Sequence, residues 1–230
     1  MSRWHAEPSG YIILTQDPET RRGIPEGDMK RKYPRTYAYL KKFEHVLRKR
    51  SGYRQYFKPT DPFWSVYNVG PYSLAPWKVA WPGEVAPSLR VAVVGKHMKK
   101  PVLCDQTNYF VDCAIEDQAN FLNAMLNSSC VRLYYDSLAY KHTSMDFIKG
   151  LALPQFDATI SAHNLLSELS RQCQRAAAEG DTKGIEALEA KLDRAAAKLW
   201  GVTDDELKSI QQALNEGSRR ERGESDDEAE

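Results

Sequence analysis

Three features of this sequence predict an α+β fold: a small mixed or antiparallel sheet with flanking helices, followed by a C-terminal helical hairpin and a disordered tail. Residues 53–113 consist of short aromatic and β-branched runs broken by Gly and Pro, the composition of strands. On either side, apolar residues recur at three- and four-residue steps, the period of amphipathic helices. The closing run SRRERGESDDEAE is charged and free of aromatics, so it cannot bury a core.

Taken in order, Tyr11-Ile12-Ile13-Leu14 reads as a strand that leads into a turn-rich segment with Asp17-Pro18, Gly23, Pro25 and Gly27. Pro34 suits a first helical turn, and Tyr39, Leu40, Phe43, Val46 and Leu47 form one apolar face until Ser51-Gly52. The opposite face holds Arg35, Lys41, Lys42, His45, Arg48 and Lys49. Strands are expected in Phe63 to Val69, Leu74 to Trp81, Leu89 to Val94 and Pro101 to Cys113. Helices follow, around Phe121, Leu122, Met125 and Leu126 and then around Val131, Tyr134, Tyr135 and Leu138, with a last strand at Leu151 to Leu153. Leu165, Leu166, Leu169 and Cys173, then Ile185, Leu188, Leu192 and Leu199, form two helical runs parted by Glu179-Gly180-Asp181, an antiparallel hairpin. A short capped helix runs from Thr203 or Asp204 to Leu214. The expected organisation is therefore a domain over 1–160, a helical packing element over 161–215 and a disordered charged tail over 216–230.

The formal charge of +1 hides a separation along the 230 residues. Residues 1–60 hold 14 basic against 6 acidic side chains and 61–100 hold 5 against 2, whereas 101–160 hold 3 against 7 and 161–230 hold 10 against 16. A basic half of this kind points to a polyanionic partner. No apolar run approaches the roughly 18–20 residues of a membrane span, and no basic-then-apolar leader opens the chain. Cys104, Cys113, Cys130 and Cys173 have no metal-site spacing, so they read as reduced core thiols in a cytoplasmic protein.

Between Tyr33 and Trp81 lie 13 of the 24 aromatic residues, interleaved with Arg48, Arg50, Arg54, Lys58 and Lys78. Cations beside rings suit nucleic acid, because the cations neutralise phosphates while the rings stack on bases. The alternative for each ring is ordinary core packing. The segment Gly95-Lys96-His97-Met98-Lys99-Lys100 joins two expected strands, and its Lys96, His97, Lys99 and Lys100 suit a groove-entering loop as well as a solvated hairpin tip. These nine cations are the candidate DNA-binding residues.

Catalytic patterns fall short. Asp61-Pro62-Phe63-Trp64 lacks the second proline of an adenine-holding box, and Asn68-Val69-Gly70-Pro71-Tyr72 fails likewise. Asp181, Glu189 and Lys191 mimic a metal-dependent nuclease layout, but they sit in or beside a Leu/Ala helix whose charged positions belong on the wet face. No catalytic residue and no metal site is assigned.

One ordered series is more specific. Tyr33-Pro34-Arg35-Thr36-Tyr37-Ala38-Tyr39-Leu40, Leu47 with Arg50, Pro62-Phe63-Trp64-Ser65, Tyr72, Ala75-Pro76-Trp77-Lys78-Val79 and Trp81 are followed by Asp105 before Tyr109-Phe110-Val111. Then come Ala119 through Leu126-Asn127-Ser128-Ser129, Ile148 to Leu153-Pro154 with Phe156-Asp157, and Leu199-Trp200-Gly201-Val202-Thr203 with Glu206-Leu207. Over residues 3–210 this resembles the C-terminal target recognition (specificity) domain of adenine-specific DNA methyltransferases, a family that includes fused restriction-modification enzymes.

The resemblance implies the DNA-reading part of a restriction-modification or phage-defence system without its catalytic domain: a split subunit, a truncated gene product or an excised domain. It implies double-stranded DNA and an adenine methyltransferase catalytic domain or subunit as partners, with a second copy of the chain also in view and no membrane. No cofactor is expected in the chain, S-adenosylmethionine belonging to the catalytic partner, and no enzymatic activity is expected of it alone. The competing reading is a protein-interaction subunit acting through the acidic helical C-terminal region.

Overall fold

The computed structural model of the chain describes residues 1–83, 88–138 and 145–222. It is an α+β protein with small antiparallel sheets, divided into two compact units: Pro8–Ala75, and Met1–Glu7 with the chain from Pro76 onward.

In the Pro8–Ala75 unit, β1 (Gln16–Asp17) pairs antiparallel with β2 (Arg22–Gly23). Four short helices follow: α1 (Glu26–Lys32), α2 (Pro34–Lys41), α3 (Glu44–Leu47) and α4 (Ser51–Tyr56). A small core of Met29, Leu40, Phe63 and Trp64 holds them together. Trp64 donates its indole N–H to the Ile24 carbonyl at 3.0 Å and accepts at its own carbonyl from Thr15 Oγ1 at 2.7 Å.

Three expectations fail in this unit. The strand expected at Tyr11–Leu14 does not form, and Tyr11, Ile12 and Ile13 are exposed. The single helix expected from Pro34 to Ser51 breaks in two: Lys42 and Phe43 turn back onto Tyr39 and Leu40 through i→i−3 bonds of 3.2 and 2.9 Å, which tighten and end the turn. Ser51 then starts α4 instead of stopping a helix. Phe63–Val69 is no strand either, because the Phe63, Trp64 and Ser65 carbonyls bond to the side chains of Arg50 and Thr15 and not to a neighbouring strand.

The second unit is built on the sheet β4-β3-β7, with β3 (Trp77–Pro82) central and antiparallel to both β4 (Ala92–Val94) and β7 (Asn108–Cys113). Val79 faces Val93 on one side and Val111 on the other. Between β4 and β7 a hairpin of β5 (Lys96–His97) and β6 (Lys100–Pro101) departs from the sheet. Helix α5 (Glu116–Asn127) packs against the sheet through Ala119 and Leu126, next to Val131 and Tyr135 of α6 (Ser129–Asp136). A short α7 (Met145–Lys149) follows, and the strand expected at Leu151–Leu153 is replaced by a tight turn, Leu153 N–H to Leu151 O at 2.8 Å.

The expected helical hairpin is present as α8 (Ser161–Glu179) and α9 (Thr182–Trp200). Gly180 closes α8 at φ 73°, a left-handed conformation that costs glycine nothing, and the Asp181 side chain caps α9 by accepting from Gly184 N at 2.9 Å. The other face of α5 packs on α8 and α9, where Phe121, Ala124 and Met125 meet Leu166, Leu169 and Cys173 of α8 and Leu192 of α9. Buried amides tie the two helices: Asn123 Nδ2 donates to Ser170 Oγ at 3.0 Å, and Gln174 Nε2 donates to Asn120 Oδ1 at 2.6 Å.

Asp193 of α9 reaches the start of α6, accepting from Ser129 N at 2.8 Å and from Ser129 Oγ. Trp4 is buried in the same unit; its N–H donates to Val91 O at 3.0 Å and its indole to Glu189. Glu189 also pairs with Arg3, so it does not lie on a wet helix face as the sequence suggested.

The last helix, α10 (Asp204–Arg222), opens with Thr203 and Glu206 capping one another and runs past Leu214. Residues 216–222, expected in a disordered tail, are thus helical, and 223–230 lie outside the described residues. Among the described residues no helix is long and apolar enough to cross a membrane.

Candidate nucleic-acid interface

Helix fragments position the cations of the Pro8–Ala75 unit, which carries 13 Lys and Arg against 6 Asp and Glu. The fragments separate two kinds of arginine. Arg50 precedes α4 and donates to three carbonyls: Leu47 at 2.9 Å, Phe63 at 2.9 Å and Ser65 at 3.0 Å. Burial pulls its guanidinium below the ordinary arginine value, with Tyr53 opposing. Arg48 bonds Glu44 Oε1, the Tyr53 hydroxyl and Pro59 O at 2.9, 3.0 and 2.9 Å, and lies over the Phe63 ring at 5.5 Å. Both arginines hold the loop after α4 in place.

Arg54 and Lys58, by contrast, are exposed, and their side chains make no ion pair among the described residues. Arg35, Lys42 and Lys49 share that state, and they extend the candidate set beyond the cations named from the sequence. The signal for them was the basic helix face.

Rings accompany these cations at the surface. Tyr39 and Phe43, expected in the core, are 52% and 42% exposed with ring centroids 5.2 Å apart. Tyr56 and Tyr67 stack at 3.6 Å and 10°, both partly exposed. Phe63 and Trp64 are core residues, so Asp61-Pro62-Phe63-Trp64 presents no free aromatic face, and the Asp61 carboxylate is held by Lys58 N at 2.7 Å. A groove of about 460 Å³ in this unit is lined by three carboxylates, Asp17, Asp28 and Asp61, against one cation, Arg22, together with Phe57 and Ser65. Its carboxylates disfavour phosphate.

In the second unit, Lys78 is the second residue of β3 and is buried, its ammonium donating to Val102 O at 3.0 Å. Burial pulls its pKa down, with Cys104 and Asp112 pulling the other way. Lys96, His97, Lys99 and Lys100, however, are all exposed on the β5–β6 hairpin. His97 pairs with Lys100, which leaves Met98-Lys99 as a two-residue turn. Gly95 roots the hairpin against Trp77, where a Cβ would lie 2.5 Å from the ring. The nine candidates therefore separate into structural cations (Arg48, Arg50, Lys78), two exposed cations near α4, and four exposed cations on the hairpin.

Among the described residues no group of three or more His, Cys, Asp or Glu could hold a metal ion. All four thiols have pKa values raised by burial, Cys113 to about 11 and Cys173 to about 12. Asp181 and Glu189 are committed to the α9 cap and to Trp4 with Arg3.

No family model matches the chain. Over 156 residues it is 35% identical to the Type II methyltransferase M.NspV of Nostoc sp., a match that spans 68% of this chain and 31% of that protein. The chain is thus related in sequence to part of a Type II methyltransferase, and it spans about a third of that relative's length.

Proposed function

We propose that the chain is the DNA target recognition module of an adenine-specific methyltransferase of a restriction-modification or phage-defence system. The observation that carries this reading is the exposed basic hairpin β5–β6, with three lysines and a histidine in five residues, in a chain related to a Type II methyltransferase. A two-stranded ribbon of this kind fits a DNA groove, and its lysines set register on the phosphates.

Arg54 and Lys58, with Arg35, Lys42 and Lys49, supply further phosphate contacts, and the exposed Tyr39–Phe43 and Tyr56–Tyr67 pairs offer faces for bases or sugars. Arg48, Arg50 and Lys78 shape the scaffold that holds them. S-adenosylmethionine and the methyl transfer belong to a catalytic domain or subunit, which extrudes the adenine while this module grips the duplex.

A salt titration of duplex binding by the full chain tests the reading. Log affinity should fall against log salt with a slope of about −0.9 per neutralised phosphate, and joint replacement of Lys96, Lys99 and Lys100 by Ala should flatten that slope. Salt-insensitive binding, or none at low salt with or without an adenine methyltransferase core supplied, overturns it. Adenine as the base modified is tested by mapping methyl groups after adding that core.

A further inference from the structure

The hairpin tip carries something that phosphate binding does not require. Met98 stands between Lys96-His97 and Lys99-Lys100, and the residue is 73% exposed. A thioether beside three lysines and a histidine adds nothing to the neutralisation of phosphate.

The backbone at this point is also unusual. Met98 and Lys99, the two central turn residues, both lie in the left-handed region at φ 48° and 63°. A two-residue turn with both φ positive matches the twist of a hairpin, but Asn-Gly or Gly-Gly makes it without the Cβ clash that other residues suffer. Retaining two long side chains here opposes stability, and such outliers gather where a side chain is presented for a purpose. The root of the hairpin is fixed by Gly95 on Trp77, so the tip is presented from a defined base.

We propose that Met98 is a wedge that enters a groove of duplex DNA and parts one base-pair step, while Lys96, Lys99 and Lys100 hold the flanking phosphates. The proposal rests on the DNA-recognition reading above. An unbranched, polarisable thioether lies flat on the faces of unstacked bases, and apolar side chains inserted this way kink the duplex. Pyrimidine–purine steps part most easily, so the ligand is duplex DNA with a TpA or CpA/TpG step at the wedge.

The test uses the full-length chain and a short duplex recovered from a random pool by binding to it, with 2-aminopurine replacing each adenine in turn. The wild-type chain should raise the fluorescence several-fold at one step, and Met98→Leu should preserve the rise. Met98→Ala and Met98→Gly should return it to the level of the free duplex at saturating protein without changing the salt slope. Lys99→Ala with Lys100→Ala should flatten the salt slope and, at saturation, keep the rise. An undiminished rise in Met98→Ala, or no rise at any step with the wild-type chain bound, overturns the wedge and leaves DNA recognition standing. Failure of the wild-type chain to bind any duplex at low salt overturns both.

Discussion

Replacing Arg50 by alanine separates a structural arginine from a phosphate contact. The guanidinium donates to Leu47 O, Phe63 O and Ser65 O at 2.9 to 3.0 Å, tying the entry to α4 to the segment that carries the core residues Phe63 and Trp64. Hydrogen bonds from a charged donor contribute roughly 1.5–3 kcal/mol each where buried. Arg50 is only partly buried, and water can reach the freed carbonyls in its place, so about 1 kcal/mol per bond is the reasonable figure and ~3 kcal/mol the sum. Lysine has one ammonium and no planar fork, so Arg50→Lys should recover about a third of that.

Hydrogen exchange read by mass spectrometry on peptides within 8–75 reports the opening of this unit by itself. The most protected amides should exchange over a hundredfold faster in Arg50→Ala, about 3 kcal/mol in opening free energy. The salt slope of DNA binding should stay at the wild-type value under folded conditions. Protection within about 0.5 kcal/mol of wild type, together with a slope reduced by one phosphate, would refute the structural assignment.

Other perturbations follow from the same geometry. Asp193→Ala strips the acceptor from Ser129 N and Oγ and from Gln211, and removes the negative charge facing Arg3 and Arg132, two guanidiniums whose pKa values burial pulls down, Arg3's to about 10. Thermal or urea unfolding should show a loss of about 3–5 kcal/mol, with Asp193→Asn losing less. Lys99→Gly relieves a left-handed residue and should stabilise the chain by about 1 kcal/mol while weakening DNA binding, as measured by urea midpoint and anisotropy.

The thiols predict alkaline sensitivity. Folded Cys113 and Cys173 keep their protons to about 11 and about 12, against an ordinary value of 9.0. As pH rises, the unfolded chain therefore loses these protons first. Their contribution is intact below pH 9 and is lost between there and about 11 to 12. Iodoacetamide at pH 8 should label the four cysteines far more slowly in the native chain than in urea.

Much of the second unit was legible because its pattern and its partners coincide. Val79, Val93 and Val111 stand in register on three β-branched runs that do pair, and Gly180-Asp181 marks the α8–α9 turn in residue chemistry as well as in position. The Pro8–Ala75 unit was harder to read. Tyr39, Phe43 and Val46 keep helical spacing, but spacing does not say that the helix ends at Lys41, and all three side chains stand exposed on either side of that break. Phe63–Val69 has strand composition and no strand beside it, because the Phe63 and Ser65 carbonyls are taken by Arg50 and that of Trp64 by the Thr15 hydroxyl. The same blindness merged two kinds of cation: in sequence Arg50 and Arg54 are equivalent neighbours of aromatics, and only the carbonyls around Arg50 tell them apart.

Trp4 has a consequence for the order of assembly. The first seven residues belong to the unit that resumes at Pro76, so the Pro8–Ala75 unit is spliced into its host at both ends. Docking Trp4 on Val91 while the insert is unfolded means closing a loop of roughly 70 free residues, an entropic cost of about 4 kcal/mol. A folded insert holds its ends at a fixed separation and removes most of that cost. Anything that unfolds the insert, Arg50→Ala included, should therefore loosen the seating of Trp4 as well, through chain entropy alone.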